Sequence, residues 1–507
     1  MFGRASGILL HLTSLPGGFG IGDLGTEAYH FVDFLRQSGQ HLWQILPFGP
    51  TGIDNSPYQC LSVFAGNELL INLEILLHEK LLETSDLTGI PGFHLHKVDY
   101  NTVYKFKLAL LKKSYEIFKK NASDIQKRRF ENFCNKNSRW LDDYALFRAL
   151  KEAHSNTGWN TWEKSIKLRE SDQITKWHHK LKNEVLSFSY QQFQFFEQWN
   201  KLRTYAHKQG IKLIGDIPIF VALDSAEVWS HRDLFYLDPN GNPTVVAGVP
   251  PDYFSSTGQL WGNPLYRWDQ MAEDGYAWWC ERLSAMSKQV DIIRVDHFRG
   301  FEDYWEIPAD ETTAINGRWV PGPGAPFFNA VQQKLGSELP IIAEDLGIIT
   351  PAVEKLRDDF GFPGMRVMQF GFADDCETNI HRPVNYPRNC VAYTGTHDND
   401  TTIGWFQSYN PEVTTVGRKT HEIEKQRVLR YLGTDGHEIN WDFIRAIFTS
   451  HADTAIIPLQ DILGLGSEAR MNIPGNQGGN WTWRFTSEML TDKVCEYLRE
   501  ETILAKR

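Results

Sequence analysis

Along the chain, short apolar runs alternate with longer stretches in which apolar residues recur every three or four positions. Eight runs stand out: GILLHL (7–12), HLWQILP (41–47), IKLIGDIPIF (211–220), DIIRVDH (291–297), LPIIAED (339–345), RVMQF (366–370), CVAYTGTHD (390–398) and TAIIPLQDIL (454–463). Runs this short and this continuously apolar read as strands buried on both faces. Most are followed by a helical pattern, such as TEAYHFVDFLRQSG after the first and PAVEKLRDDFG after the fifth. Eight such strand–helix units predict an α/β fold, a (β/α)8 TIM barrel.

The spacing is uneven. The gaps from Pro47 to Ile211 and from Phe220 to Asp291 are far longer than one helix needs. The first holds helical patterns such as DDYALFRALKEAH (142–154); the second is rich in Pro, Gly and Trp. A structureless loop of that length is improbable. The expectation is one catalytic barrel over 1–507, interrupted by a mainly helical insertion at 75–205 and a loop-rich insertion at 221–290.

The fourth run continues as IIRVDHFRG (292–300) and mixes core residues with charges. Alternate strand residues share a face, so Arg294 and Asp296 point one way and Ile293 and Val295 the other. The apolar pair suits the helix layer. The charged pair then lies inside, at the C-terminal end of the strand, where barrel enzymes keep their chemistry. A structural Asp–Arg pair is the plainer alternative. Two further strand ends weigh against it: IIAED ends in Glu344 and Asp345, and GTHDND carries His397, Asp398 and Asp400. Carboxylates converging on one pocket cannot all ionise freely, so at least one is expected to hold its proton. Two carboxylates facing one bond are the apparatus of glycoside cleavage. A third would grip sugar hydroxyls, and Arg294 would keep Asp296 ionised as a nucleophile requires.

Composition changes this picture little. Seventeen tryptophans offer stacking surfaces for sugars, and Trp261 is the best placed because Gly262 and Pro264 mark a loop around it. A net charge of −11 argues against nucleic-acid binding. The 11 Lys and Arg against 3 Asp and Glu in residues 101–140 read as a solvated helix face. Six scattered cysteines without a CxxC pair suggest a reducing, cytoplasmic setting. No stretch approaches the roughly 20 apolar residues of a membrane span. GIGDLG (20–25) matches a dinucleotide-binding pattern, but the next strand ends without the acid that would hold a ribose, so no nucleotide is expected. HDND and VDH offer too few histidines for a catalytic metal. His297 and His397 read as neutral hydrogen-bonding groups.

The motifs SPYQ, GDIPIFV, GVPPDYFS, LWGNPLY, IIRVDHFRGF, IIAEDLG, GTHDNDTT and ARMNIPG, in this order over residues 6–490, resemble the 4-α-glucanotransferases, or amylomaltases, of the α-amylase clan. The resemblance implies retaining transfer of α-1,4-glucan segments to the 4-hydroxyl of a maltooligosaccharide or glucan acceptor. It implies Asp296 as nucleophile, Glu344 as acid/base and Asp398 as transition-state stabiliser. Asp216, Arg294, His297 and His397 resemble pocket residues near the cleaved sugar. Tyr58, Asp252, Trp261 and Asn472 resemble further substrate contacts, and GVPPDYFSSTGQLWG resembles a loop that covers the substrate. No metal or organic cofactor is implied. Ile53 stands where many relatives carry an aromatic, so a secondary glucan contact is not expected there. The N-terminal extension of longer plant-type relatives is likewise not expected. An α-glucan hydrolase on the same barrel, or a non-catalytic glucan-binding protein, remains open at this point. Oligomeric state is not readable.

Overall fold

The computed structural model describes residues 3–52, 54–251, 255–408, 418–476 and 478–507. Eight parallel strands close a barrel: β1 (Ala5–Leu9), β2 (Leu42–Gln44), β3 (Lys212–Pro218), β6 (Ile292–Asp296), β9 (Ile341–Ala343), β10 (Gly364–Val367), β11 (Cys390–Tyr393) and β12 (Thr454–Pro458). They neighbour one another in chain order, and β12 closes on β1. Each predicted run supplies one strand. β11 and β12 are buried at every position, as strands between an inner core and a helix layer must be.

The strands end earlier than the apolar runs that announced them. The first run continues into a 3-10 turn at Leu12–Ser14, and the sixth into another at Met368–Gly371. These segments stay largely buried after leaving the ladder. GIGDLG lies in the loop between the first of these turns and the helix Thr26–Gln37. There a Cβ on Gly22 would fall 2.0 Å from the Leu12 carbonyl oxygen.

Between β2 and β3 stand the helices Tyr100–Asn121, Asp124–Ala153, Ser171–Lys180 and Lys182–Lys208. Val103, Leu111, Tyr115 and Phe118 bury one stripe of the first, and Ser123 with Gln126 forms a capping box at the start of the second. Lys107 departs from the solvated face expected for this basic stretch. It is fully buried, 3.5 Å from Asp23, with its ammonium 5.8 Å from the centre of the Phe19 ring.

The stretch 221–290 also carries two strands among its turns and short helices. β4 (Val245–Val249) and β5 (Gln259–Pro264) form an antiparallel hairpin. With β7 (Asp303–Pro308) and β8 (Arg318–Pro321) they make a four-stranded sheet in the order β5-β4-β7-β8. The register slips between Val246 and Gly248, leaving Trp261, Gly262 and Asn263 opposite the single Ala247. Gly262 takes the left-handed φ of +77° that this requires. Trp261 is therefore a strand residue. No helix among the described residues is long and apolar enough to cross a membrane.

Candidate active site

The barrel register assembles the site. Asp216 on β3 pairs with Arg294 on β6, and Val295 pairs with Ala343 on β9, so the next positions, Asp296 and Glu344, emerge from adjacent strand tips. Arg294, 3% exposed, bridges two acids: Nη1 lies 2.6 Å from Asp216 Oδ2 and Nη2 lies 3.0 Å from Asp296 Oδ1. Such a buried cation persists because both partners are fixed by the sheet. Tyr58 donates its hydroxyl to the same Asp216 oxygen at 2.9 Å. Burial, opposed by Arg294 and reinforced by Asp296, pushes the Asp216 carboxyl up to about 7. The Asp216 side chain has no exposed surface, whereas that of Asp296 is 28% exposed and that of Asp398 is 48% exposed. Asp296 and Asp398 can meet a ligand; Asp216 acts through Tyr58 and Arg294.

Glu344 is held by two backbone donors. Leu346 N–H reaches Oε1 at 2.8 Å and His297 N–H reaches Oε2 at 2.7 Å. The second bond depends on a left-handed His297, with φ of +53°, an uncommon conformation for a non-glycine residue that the surrounding structure must impose. Burial, then the Asp296 charge, pushes the Glu344 carboxyl up to about 8 against the pull of Arg294 and these two donors. His297 is lowered to about 3 by burial and by Arg299, so its ring is neutral. The Trp261 ring meets that imidazole edge to face, centroids 4.8 Å apart.

The third acid sits on the loop after β11. Asn472 donates to Asp398 Oδ1 at 2.6 Å, and Arg470 donates to the Asp398 carbonyl at 2.7 Å. His397 Nε2 lies 3.5 Å from Asp398 Oδ2, and Tyr58 stacks on the His397 ring at 5.2 Å and 16°. Burial holds His397 below its usual value. Asp461, just beyond β12, ties both ends of this loop. Its carboxylate accepts from Thr394 Oγ1 at 2.5 Å, Thr402 N–H at 2.7 Å and Thr402 Oγ1 at 2.8 Å.

Ten of the eleven sequence-predicted residues thus gather at one barrel mouth, linked by the contacts above. Asp252 lies outside the described residues. Asp461, Arg470 and Trp481, whose ring lies 5.9 Å from both Tyr58 and His397, were not anticipated. Asp461 stood in the eighth run and Arg470 in ARMNIPG, but nothing in one sequence says that they grip the loop of Asp398. Among the described residues no group of three or more His, Cys, Asp or Glu side chains is arranged to hold a metal ion.

A family model described as 4-alpha-glucanotransferase matches residues 10–491. The chain belongs to this family. The 4-alpha-glucanotransferase of Synechocystis is 50% identical over 498 residues, covering 98% of this chain and 96% of the relative. That of Thermus thermophilus is 48% identical over 504 residues, covering 98% and 97%. The solved amylomaltase of Streptococcus agalactiae in complex with acarbose superposes with a TM-score of 0.94 at 40% identity, covering 99% of each chain. The protein is a 4-alpha-glucanotransferase family enzyme that transfers α-1,4-glucan segments.

Proposed function

We propose that this glucanotransferase works by retention through a covalent glycosyl-aspartate. The observation that supports it is the pairing of unlike carboxyls on adjacent strand tips: Glu344 held protonated near neutrality, Asp296 ion-paired to Arg294. Asp296 attacks the anomeric carbon as the glycosidic oxygen leaves and takes the Glu344 proton. Glu344, now a carboxylate, accepts the proton of the incoming 4-hydroxyl, whose oxygen displaces Asp296 and restores the starting charges. Asp398, oriented by Asn472 and His397, holds sugar hydroxyls and strengthens its grip as positive charge grows on the ring. Tyr58, Trp261, His297 and His397 shape the sugar pocket; Arg294 and Asp216 set its charge.

The substrates in this reading are maltooligosaccharides and longer α-1,4-glucans. Acarbose in the Streptococcus agalactiae structure supports an oligosaccharide-sized site. In this reading the enzyme works in the cytoplasm, a setting that suits six free cysteines.

The test is incubation of pure protein with maltotriose, with and without chelator, resolving products by chain length over time. A ladder of longer oligosaccharides together with glucose, unchanged by chelator, is expected. Only shorter sugars would make water the acceptor and overturn the transfer mechanism.

A further inference from the structure

Trp319 is the one tryptophan among the described residues that stands exposed, at 37%. It lies on β8, an edge of the outer sheet, opposite Trp305 of β7. The two rings meet edge to face with centroids 5.1 Å apart. Trp305 is fixed by a bond from Nε1 to the Ala314 carbonyl at 2.9 Å. The sheet register places Leu260, Gly248, Trp305 and Trp319 opposite one another across four strands, and residues directly opposite share a face. Leu260 is also exposed, at 38%.

Trp319 is also tied to the catalytic strand tips. The Arg299 guanidinium lies 3.8 Å from the centre of its ring, a cation–π contact. Arg299 is itself anchored by Asp303 at 2.5 Å and by the Ile348 carbonyl. Arg299 follows His297 by two residues, and exposed Ile348 follows Glu344 by four. The ring is thus backed by Arg299, which also contacts the loop that carries Glu344.

We propose that Trp319, backed by Trp305 and Arg299, is a stacking platform for α-1,4-linked glucose units on the leaving-group and acceptor side of the cleaved bond. The assignment to that side rests on the reading of Glu344 as the acid/base. A glucose ring offers an apolar C–H face to an aromatic ring and keeps its hydroxyls in water at the rim. A platform already held in place loses little entropy on binding. A protein partner fits less well. A stable protein interface takes about 800 Å² per partner, and this row, interrupted at Gly248, presents only a few exposed side chains.

The test compares the full-length wild type with Trp319→Ala and Trp319→Phe. Three readouts apply: maltotriose disproportionation, KM for amylose with glucose as acceptor, and retardation in native gels containing amylopectin. Trp319→Ala should raise the amylose KM about tenfold and abolish most of the retardation. Trp319→Phe should restore most of both, and maltotriose turnover should fall less than the amylose reaction does. Unchanged amylose KM and retardation in Trp319→Ala would overturn the platform while leaving the transfer reaction intact. So would equal losses on maltotriose and amylose without rescue by Phe, or a wild-type dimer in sedimentation that Trp319→Ala dissolves. Failure of the wild type on maltotriose would instead strike the transfer reading itself.

Discussion

In the proposed mechanism Glu344 is the general acid, and its environment makes testable predictions. Its carboxyl, raised from the usual 4.5 to about 8, must be protonated to cleave a glycosidic bond. The kcat/KM profile should therefore fall as pH rises through about 8, and a rate unchanged between pH 7 and pH 9 would contradict the assignment. Glu344→Gln should lower kcat about 10²–10⁴-fold on glycosides that need an acid. The sign for stability follows from the same shift. A raised carboxyl contributes stability in full below about 4.5 and loses it as pH climbs through about 8. Because Gln keeps the neutral form throughout, Glu344→Gln should have a Tm above wild type by a larger margin at pH 9 than at pH 5. The opposite trend in paired thermal melts would mean that the folded protein prefers the carboxylate. Arg294 shows how a charge can sit in a strand that otherwise reads as core. Asp216 and Asp296 meet it from the neighbouring strand and from its own, so it is paired within the barrel wall.

At the scale of elements, two devices aim side chains that strands alone would misdirect. The first is the loop Thr394–Thr402, held at both ends by Asp461. Asp461→Ala leaves the buried Thr402 N–H without its acceptor, at a cost of about 1–3 kcal/mol. It should also lower kcat about ten- to a hundredfold by displacing Asp398, with KM changed far less. Steady-state kinetics beside a thermal melt would check this; a lower Tm with wild-type kcat would make Asp461 merely structural. The second device is the bulge that turns Trp261 onto His297. Trp261→Ala should open the covalent intermediate to water and raise hydrolysis relative to transfer, measured as reducing ends released per glucose transferred. An unchanged ratio would count against it. The strands and their acid tips were legible because burial on both faces writes a continuous apolar run, and an acid at its end interrupts it. The bulge was not, since Gly262 and Pro264 look alike in a loop and in a kinked strand. Nor was the Asp461 clamp, because a contact 67 residues from Thr394 leaves no local pattern.

For the whole molecule, barrel closure is what turns scattered motifs into one site. Residues from 58 to 472 meet at one mouth because eight strands point their C-terminal ends the same way. The long gaps in the sequence carry helices between β2 and β3 and the sheet that brings Trp261 to His297. The order of the motifs made the family recognisable. Whether the covalent step falls on Asp296 is the central claim, and one measurement tests it most directly. Glu344→Gln, incubated with a maltooligosaccharyl fluoride whose non-reducing 4-hydroxyl is blocked, needs no acid to expel fluoride and has neither a base nor an acceptor sugar to clear the adduct. Peptide mass spectrometry should find the glycosyl mass on Asp296. A label on another carboxylate, or fluoride released with inversion and no adduct, would contradict the account.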